Sequence, residues 1–164
     1  MVFGTDTIQN LPQELSRLGL NTAVILCTPQ QIDLAQRIAG LIGDAAAGVF
    51  TEATMHTPTN ITDKAVSYTQ AQKGDCVISA GGGSTIGLGK AISMRTKLPH
   101  ISIPTTYAGS EMTPILGETE NGRKVTRRDP AILPGTVIYD VSLTKTLPAS
   151  MSATSGVNAI AHAG

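Results

Sequence analysis

Residues 75–80, DCVISA, form a strand-like apolar run that passes without a break into Gly81-Gly82-Gly83-Ser84-Thr85 and then into IGLGKAIS, which reads as a helix. A buried strand feeding a helix through three glycines leaves few options. The helix has to fold back across the sheet, and a chain that repeats this step builds a parallel sheet with helices on its faces. The step does recur. Residues 22–27, TAVILC, read as a buried strand ending at Thr28-Pro29, and Ile32, Ala35, Ile38, Ala39 and Ile42 recur at helical spacing up to Gly43. Ala46–Phe50 is a second short apolar run. A helix is predicted over about 60–73, with Ile61, Ala65 and Tyr68 on one side, Asn60 in the place of a cap and Asp63 in an acidic first turn. HISI at 100–103 and TVIYD at 136–140 read as further strands, and 149–163 as a helix with Met151, Thr154, Val157 and Ala161 on one side. Residues 113–128 break the rhythm, because Asn121-Gly122 signals a hairpin between two β-prone runs. The expected architecture is therefore α/β, a Rossmann-like parallel sheet with flanking helices.

Composition narrows the function classes. Hydrophobic residues make up 41% and charged residues 15%, enough to bury a core. Twelve basic residues balance twelve acidic ones, which leaves no electrostatic footprint for nucleic acid or an anionic membrane surface. Aromatics are only 3% and Trp is absent, so base-stacking platforms are not expected. Cys27 and Cys76 sit in apolar runs and read as small buried hydrophobes, not as a disulfide framework or zinc site. No segment reaches the ~20 apolar residues of a membrane helix, and a cytoplasmic location is the expectation.

The glycine turn carries the chemistry. Glycines allow positive φ and close approach of the backbone. The first N–H groups of the following helix are unpaired and lie at the positive end of its dipole, which makes an anion site of phosphate or pyrophosphate size. Ser84 or Thr85 would cap the helix and donate to a phosphate oxygen. A tight strand-to-helix turn could use the same residues; the strand before it and the helix after it favour the phosphate. The turn matches neither GxGxxG nor the P-loop pattern. A second loop, Pro104 to Glu111 (PTTYAGSE), carries hydroxyls at the carboxyl end of a parallel strand, where open α/β sheets bind ligands. The first strand ends at Cys27-Thr28-Pro29, with no acid to repel a 2′-phosphate on a bound ribose.

Taken in order, GGGSTIGLGKAIS, IPTTYAGSEMT and VIYDVSLTKTLPASMSATSGVNAIAHA resemble the iron-dependent alcohol dehydrogenase superfamily, and in detail its maleylacetate reductase branch. FGTDTIQNLPQEL and MHTPTNIT fit that branch as well. The resemblance implies a dehydroquinate synthase-like nucleotide-binding domain over 1–148. It implies that 149–164 open the all-helical domain forming the second half of that family, and that the chain begins slightly inside the family's usual start. It assigns coenzyme contacts to Thr57, Gly81, Gly82, Gly83, Ser84, Thr105, Thr106, Ser110, Lys124 and Leu143; Thr28, at the end of the first strand, and Thr85, in the glycine turn, join them from their own places in the sequence. His56, Tyr107 and Asn158 are the candidates for the substrate side, and His162 for a catalytic role. Arg123, Arg127 and Arg128 read as surface charges.

Metal-dependent relatives carry an Asp and a His one helical turn apart. Here the motif reads Asn158-Ala159-Ile160-Ala161-His162, and a neutral Asn is a poor ligand for a divalent transition metal. No metal is expected. The resemblance then implies NADH- or NADPH-dependent reduction of maleylacetate to 3-oxoadipate in the catabolism of aromatic compounds. The partner would be a small dicarboxylate substrate, in a homodimer. The alternatives are an isolated nucleotide-binding module without activity and a metal-dependent alcohol dehydrogenase, the latter disfavoured by Asn158.

Overall fold

A computed structural model describes residues 2–4, 7–105, 112–140 and 143. Its strands are β1 Val2–Gly4, β2 Ala23–Leu26, β3 Ala46–Phe50, β4 Cys76–Gly81, β5 His100–Pro104, β6 Ile115–Glu120, β7 Arg123–Arg128 and β8 Thr136–Asp140. The α-helices are α1 Leu11–Leu18, α2 Ile32–Ile42, α3 Thr59–Ala71 and α4 Gly83–Thr96. Six strands make one parallel sheet in the order β1-β8-β5-β4-β2-β3, and β6 and β7 form a separate antiparallel hairpin. Among the described residues, no helix is long and apolar enough to cross a membrane.

The period-two alternation of the strands sorts the core into two layers. Ile25, Cys76, Ile78, Ala80, Ile101, Ile103 and Ile138 pack with Leu11 and Leu15 of α1 and Ala35, Ile38 and Ile42 of α2. On the opposite face Val24, Leu26 and Val77 pack with Ala65 of α3 and Leu88 and Ile92 of α4. The central strands are buried on both sides, as a parallel sheet covered by helices requires. Cys27 and Cys76 are free and buried within this core; burial pushes the Cys27 thiol up and the Cys76 thiol up to about 12.

The strand order places the functional crevice. From β2 the chain passes through α2 to β3 at the outer edge of the sheet, whereas from β4 it passes through α4 to β5 on the other side. β2 and β4 are neighbours, so their onward connections part there and leave an opening at their carboxyl ends. The glycine turn after β4 and Thr28 after β2 flank this switch point.

Local chemistry adjusts several boundaries. α2 ends at Ile42 with Gly43 as its C-cap, as read from the sequence. α3 starts at Thr59 with Pro58 as its N-cap, so Asn60 is not the cap and Asp63 is not in the first turn. The Pro58 carbonyl accepts from the N–H groups of Ile61 and Thr62 at 3.1 Å each, which places the cap two residues before Asn60. The hairpin turns at Asn121 and Gly122, both left-handed with φ of 52° and 79°, the signature of a two-residue turn.

α4 lies against β5 so closely that glycine is required at the crossing. A Cβ on Gly89 would stand 2.6 Å from Cε1 of the fully buried His100 ring. Gly89→Ala therefore pushes helix from sheet, with an expected loss of about 1–3 kcal/mol on urea unfolding. Gly40, on the exposed side of α2, has nothing within 4 Å of such a Cβ, and Gly40→Ala is expected to gain about 0.5–1 kcal/mol from helix propensity. Equal effects at the two positions would contradict this packing.

Candidate functional site

Gly81 closes β4 with φ +147°, a conformation that L side chains rarely adopt, and a Cβ there would stand 2.9 Å from Oγ1 of Thr85. Gly82 is the N-cap of α4 in extended conformation, and no side chain caps the helix. Ser84 and Thr85 are therefore not caps; both lie within the first turn. The Gly82 carbonyl accepts from the N–H groups of Thr85 and Ile86 at 3.1 Å each. At Gly83 nothing lies within 4 Å of where a Cβ would be, so the backbone at the positive end of α4 faces open space. Thr105, at the end of β5, donates its N–H to the Gly81 carbonyl at 3.0 Å and fixes the other side of the turn.

A cleft of about 210 Å³ opens on this helix start. One wall is Gly83, Ser84, Gly87 and Lys90 of α4, a second is His56 and Thr57 after β3, and a third is Ile115, Leu116 and Gly117 of β6 with Lys124 of β7. His56 and Thr57 are successive left-handed residues, with φ of 67° and 45°. Two adjacent non-glycine residues in this region store strain, which structures tend to concentrate at ligand sites. Thr57 is buried, and Gly87 leaves the room its hydroxyl occupies: a Cβ on Gly87 would stand 2.5 Å from Thr57 Oγ1. No carboxylate belongs to the described lining. His56, Lys90, Lys124 and the helix dipole all favour an anion there.

The hairpin is held in place largely by polar contacts. Lys90 is 2% exposed and donates from Nζ to the Ile115 carbonyl at 2.9 Å and to Thr113 Oγ1 at 3.2 Å. Thr119 donates its N–H to the Thr57 carbonyl at 3.1 Å. Arg95, near the end of α4, holds the fully buried Glu118 carboxylate with both guanidinium nitrogens, at 2.9 and 2.7 Å. That pairing holds the Arg95 guanidinium above its ordinary value. Arg127, whose side chain is 40% exposed, has its Nε 3.5 Å from the same carboxylate and so is both a surface charge and an ion-pair partner; Arg123 and Arg128 are exposed.

Below the turn, Ser79 Oγ and His100 Nε2 are 2.7 Å apart in the buried layer between β4, β5 and α4. Burial and the nearby Lys90 ammonium pull the His100 imidazole down to about 3, so it is neutral.

Of the positions expected to bind a coenzyme, Thr57, Gly83, Ser84 and Lys124 converge on the cleft, as does His56 from the substrate side. Gly81 and Gly82 form the turn beside it. Thr85 is fully buried behind Gly81, with no hydrogen-bond partner for its hydroxyl among the described residues. Thr28 follows β2 at the switch point, half-buried, and Leu143 packs against the core layer on the α1 and α2 side; neither is among the described lining residues. Thr106, Tyr107, Ser110, Asn158 and His162 lie outside the described residues, as does the segment 149–164. Sequence reasoning missed Gly87, Lys90, Ile115, Leu116 and Gly117. Gly87 and Lys90 follow Gly83 at i+4 and i+7, the spacing of one helix face, and that signal was available.

The geometry agrees with the likeness to known proteins. The model of the iron-containing alcohol dehydrogenase family matches residues 1–141. A maleylacetate reductase from Rhizobium sp. strain MTP-10005 is 56% identical over 163 residues, which are 99% of this chain and 46% of that protein. The crystal structure of maleylacetate reductase from Agrobacterium tumefaciens superposes with a TM-score of 0.93 at 56% identity, covering 99% of this chain and 46% of that one. An iron-containing alcohol dehydrogenase from Corynebacterium glutamicum gives a TM-score of 0.90 at 41% identity, covering 98% of this chain and 45% of that one. The chain thus spans about half the length of the relatives it matches. With the family model covering most of its length, and a glycine turn at the switch point of its parallel sheet, the chain belongs to the iron-containing alcohol dehydrogenase family.

Proposed function

We propose that this chain is the coenzyme-binding part of an NAD(P)H-dependent maleylacetate reductase, which reduces maleylacetate to 3-oxoadipate in the catabolism of aromatic compounds. One observation carries the reading. The start of α4, uncapped and open at Gly83, lies opposite Lys124 and His56 in a chain 56% identical to a maleylacetate reductase. The residues present fit a dinucleotide: a phosphate needs close backbone and donor N–H groups, and the site offers them without a side chain in the way. Gly83 and Ser84 would hold the pyrophosphate, with Lys124 and the helix dipole balancing its charge. Thr57 would border the nucleotide, and Thr28, being neutral, would tolerate both a 2′-hydroxyl and a 2′-phosphate. The coenzyme, when bound, supplies the hydride. His56 would attract a carboxylate of the dicarboxylate substrate from the rim of the cleft, in company with Tyr107, Asn158 and His162. We assign 1–148 to this domain and 149–164 to the first helix of a second one, in a cytoplasmic homodimer.

Iron, which the family name implies, has no evident seat among the described residues, where no three His, Cys, Asp or Glu stand together. The metal-free reading rests on Asn158, where a ligating relative would have Asp. A second reading is a nucleotide-binding module without turnover.

Calorimetry with NADH and with NADPH is expected to give heat of binding for both, with affinities within about tenfold of each other because β2 ends at a neutral Thr28. Adding maleylacetate should leave NADH absorbance unchanged for this chain alone, and chelator should not alter coenzyme binding. Absence of heat from either coenzyme in the folded chain would overturn the reading. Turnover that appears only on adding iron or zinc would replace it with a metal-dependent alcohol dehydrogenase.

A further inference from the structure

We propose that Glu118 is a positioning residue for the coenzyme cleft, setting through Arg95 and Arg127 the height at which the β6–β7 hairpin carries Lys124 across the start of α4. The proposal rests on the coenzyme reading above and adds a residue that is not itself among the described lining of the cleft.

The pleat separates the two roles. Leu116 and Glu118 are the buried residues of β6 and point to the α4 side, whereas Gly117 and Thr119 point the other way. Lys124 pairs with Thr119 across the hairpin, on the Gly117 side. Its stem crosses Gly117, where a Cβ would stand 3.2 Å from Lys124 Cε. The side that presents the cation is therefore opposite the side that is clamped. The register of one fixes the reach of the other.

Apolar packing is too small to set that register. Among the described residues Leu116 is the one buried hydrophobic side chain of the hairpin, and its cluster adds only Ala91 and Ile132, with Met94 against it. A two-stranded hairpin is marginal by itself, so its attachments decide where it sits. A fully buried carboxylate is a poor device for stability, since its desolvation costs about what its pairing returns. Its strength is geometry. The Arg95 fork meets both Glu118 oxygens and so fixes distance and plane together, and Arg95 Nη1 is itself anchored to the Ala91 carbonyl at 3.1 Å. The clamp ties one turn of α4 to one rung of β6. The same helix starts at the phosphate turn.

The test is a double-mutant cycle read by NADH affinity. Lys124→Met is expected to weaken NADH about tenfold by removing one charge contact. Glu118→Gln, similar in size but unable to accept the full fork, is expected to weaken it by a similar factor and to flatten its salt dependence to that of Lys124→Met. The double variant should bind no worse than either single, because Glu118 acts through Lys124. A clamp that only stabilises the fold would lower the unfolding midpoint and leave affinity and salt slope at wild-type values. That result, or losses that multiply to about a hundredfold, would overturn the proposal. Should Glu118→Gln not fold, Arg95→Lys, which keeps the charge and loses the fork, carries the same cycle. Wild-type binding separates the two claims. A wild-type chain that binds no NADH overturns the coenzyme reading and the proposal together, whereas binding with a multiplicative cycle overturns the proposal alone.

Discussion

Gly83→Asp is expected to weaken coenzyme binding by roughly a hundredfold or more while leaving the fold as stable as wild type. The two effects part because the position is sterically open and electrostatically decisive. Nothing stands within 4 Å of a Cβ at Gly83, so a side chain enters without moving a neighbour. Gly83 is the first residue of α4, and its φ is not in the left-handed region. A carboxylate in the first turn of a helix is favoured by the dipole, by about 0.3–1 kcal/mol. Against a pyrophosphate the same charge is repulsive: at ~4 Å two unit charges interact by about 4 kcal/mol in a partly exposed site. Gly83→Asn supplies the same bulk without the charge. It should retain most of the affinity that Asp loses, and the gap between the two variants should narrow as salt is raised. Urea unfolding and NADH calorimetry on the three proteins check this. If Asn and Asp were equally damaging, contact rather than charge would govern the turn; if neither altered binding, the pyrophosphate would not sit there.

Much of this arrangement was legible in the residues, for reasons that differ from element to element. α2 could be bounded because its apolar residues fall on one face and Gly43 ends it. The hairpin could be centred because Asn-Gly favours a left-handed pair. α1 could not, since eight residues with Pro12 in the first turn look like a loop until Leu11 and Leu15 are seen packed on the sheet. β1 is three residues long and is a strand because β8 lies beside it. In α4 the difficulty was the reverse. The helix is buried around most of its circumference, so hydrophobic periodicity does not reveal which side faces the cleft, and only the i+4 and i+7 spacing from Gly83 marks Gly87 and Lys90. The glycine turn announced itself because strand, glycines and helix are contiguous. Contacts between distant segments left no such trace: Arg95 meets Glu118 across 23 positions, and spacing alone cannot pair them. Leu143 came from family resemblance and Thr28 from its place at the end of the first strand, and the described cleft wall includes neither.

The second large effect concerns acid. His100 is fully buried between β4, β5 and α4, with Ser79, Gly89 and Lys90 around it, and its imidazole is held at about 3 against an ordinary value of 6.5. Above pH 6.5 it is neutral in both folded and unfolded chains and contributes no pH dependence. Between 6.5 and about 3 the unfolded chain takes up a proton that the folded chain refuses, so stability falls as pH falls. The slope is about 1.4 kcal/mol per pH unit, which amounts to about 2 kcal/mol lost by pH 5 and more than 3 by pH 4. His100→Gln retains a polar group for Ser79 and cannot titrate. It should be less stable than wild type at pH 7.5, and the difference should shrink at that slope on acidification, measured by urea unfolding at matched ionic strength. Parallel curves for the two proteins would mean that His100 protonates without resistance and that α4 is not seated on β5 as tightly as Gly89 implies. Coenzyme adds a further check. A ligand bound at the start of α4 raises stability by mass action at each pH, yet it does not touch His100. Saturating NADH should therefore lift the difference curve of neither protein relative to the other, and the slope assigned to His100 should survive it.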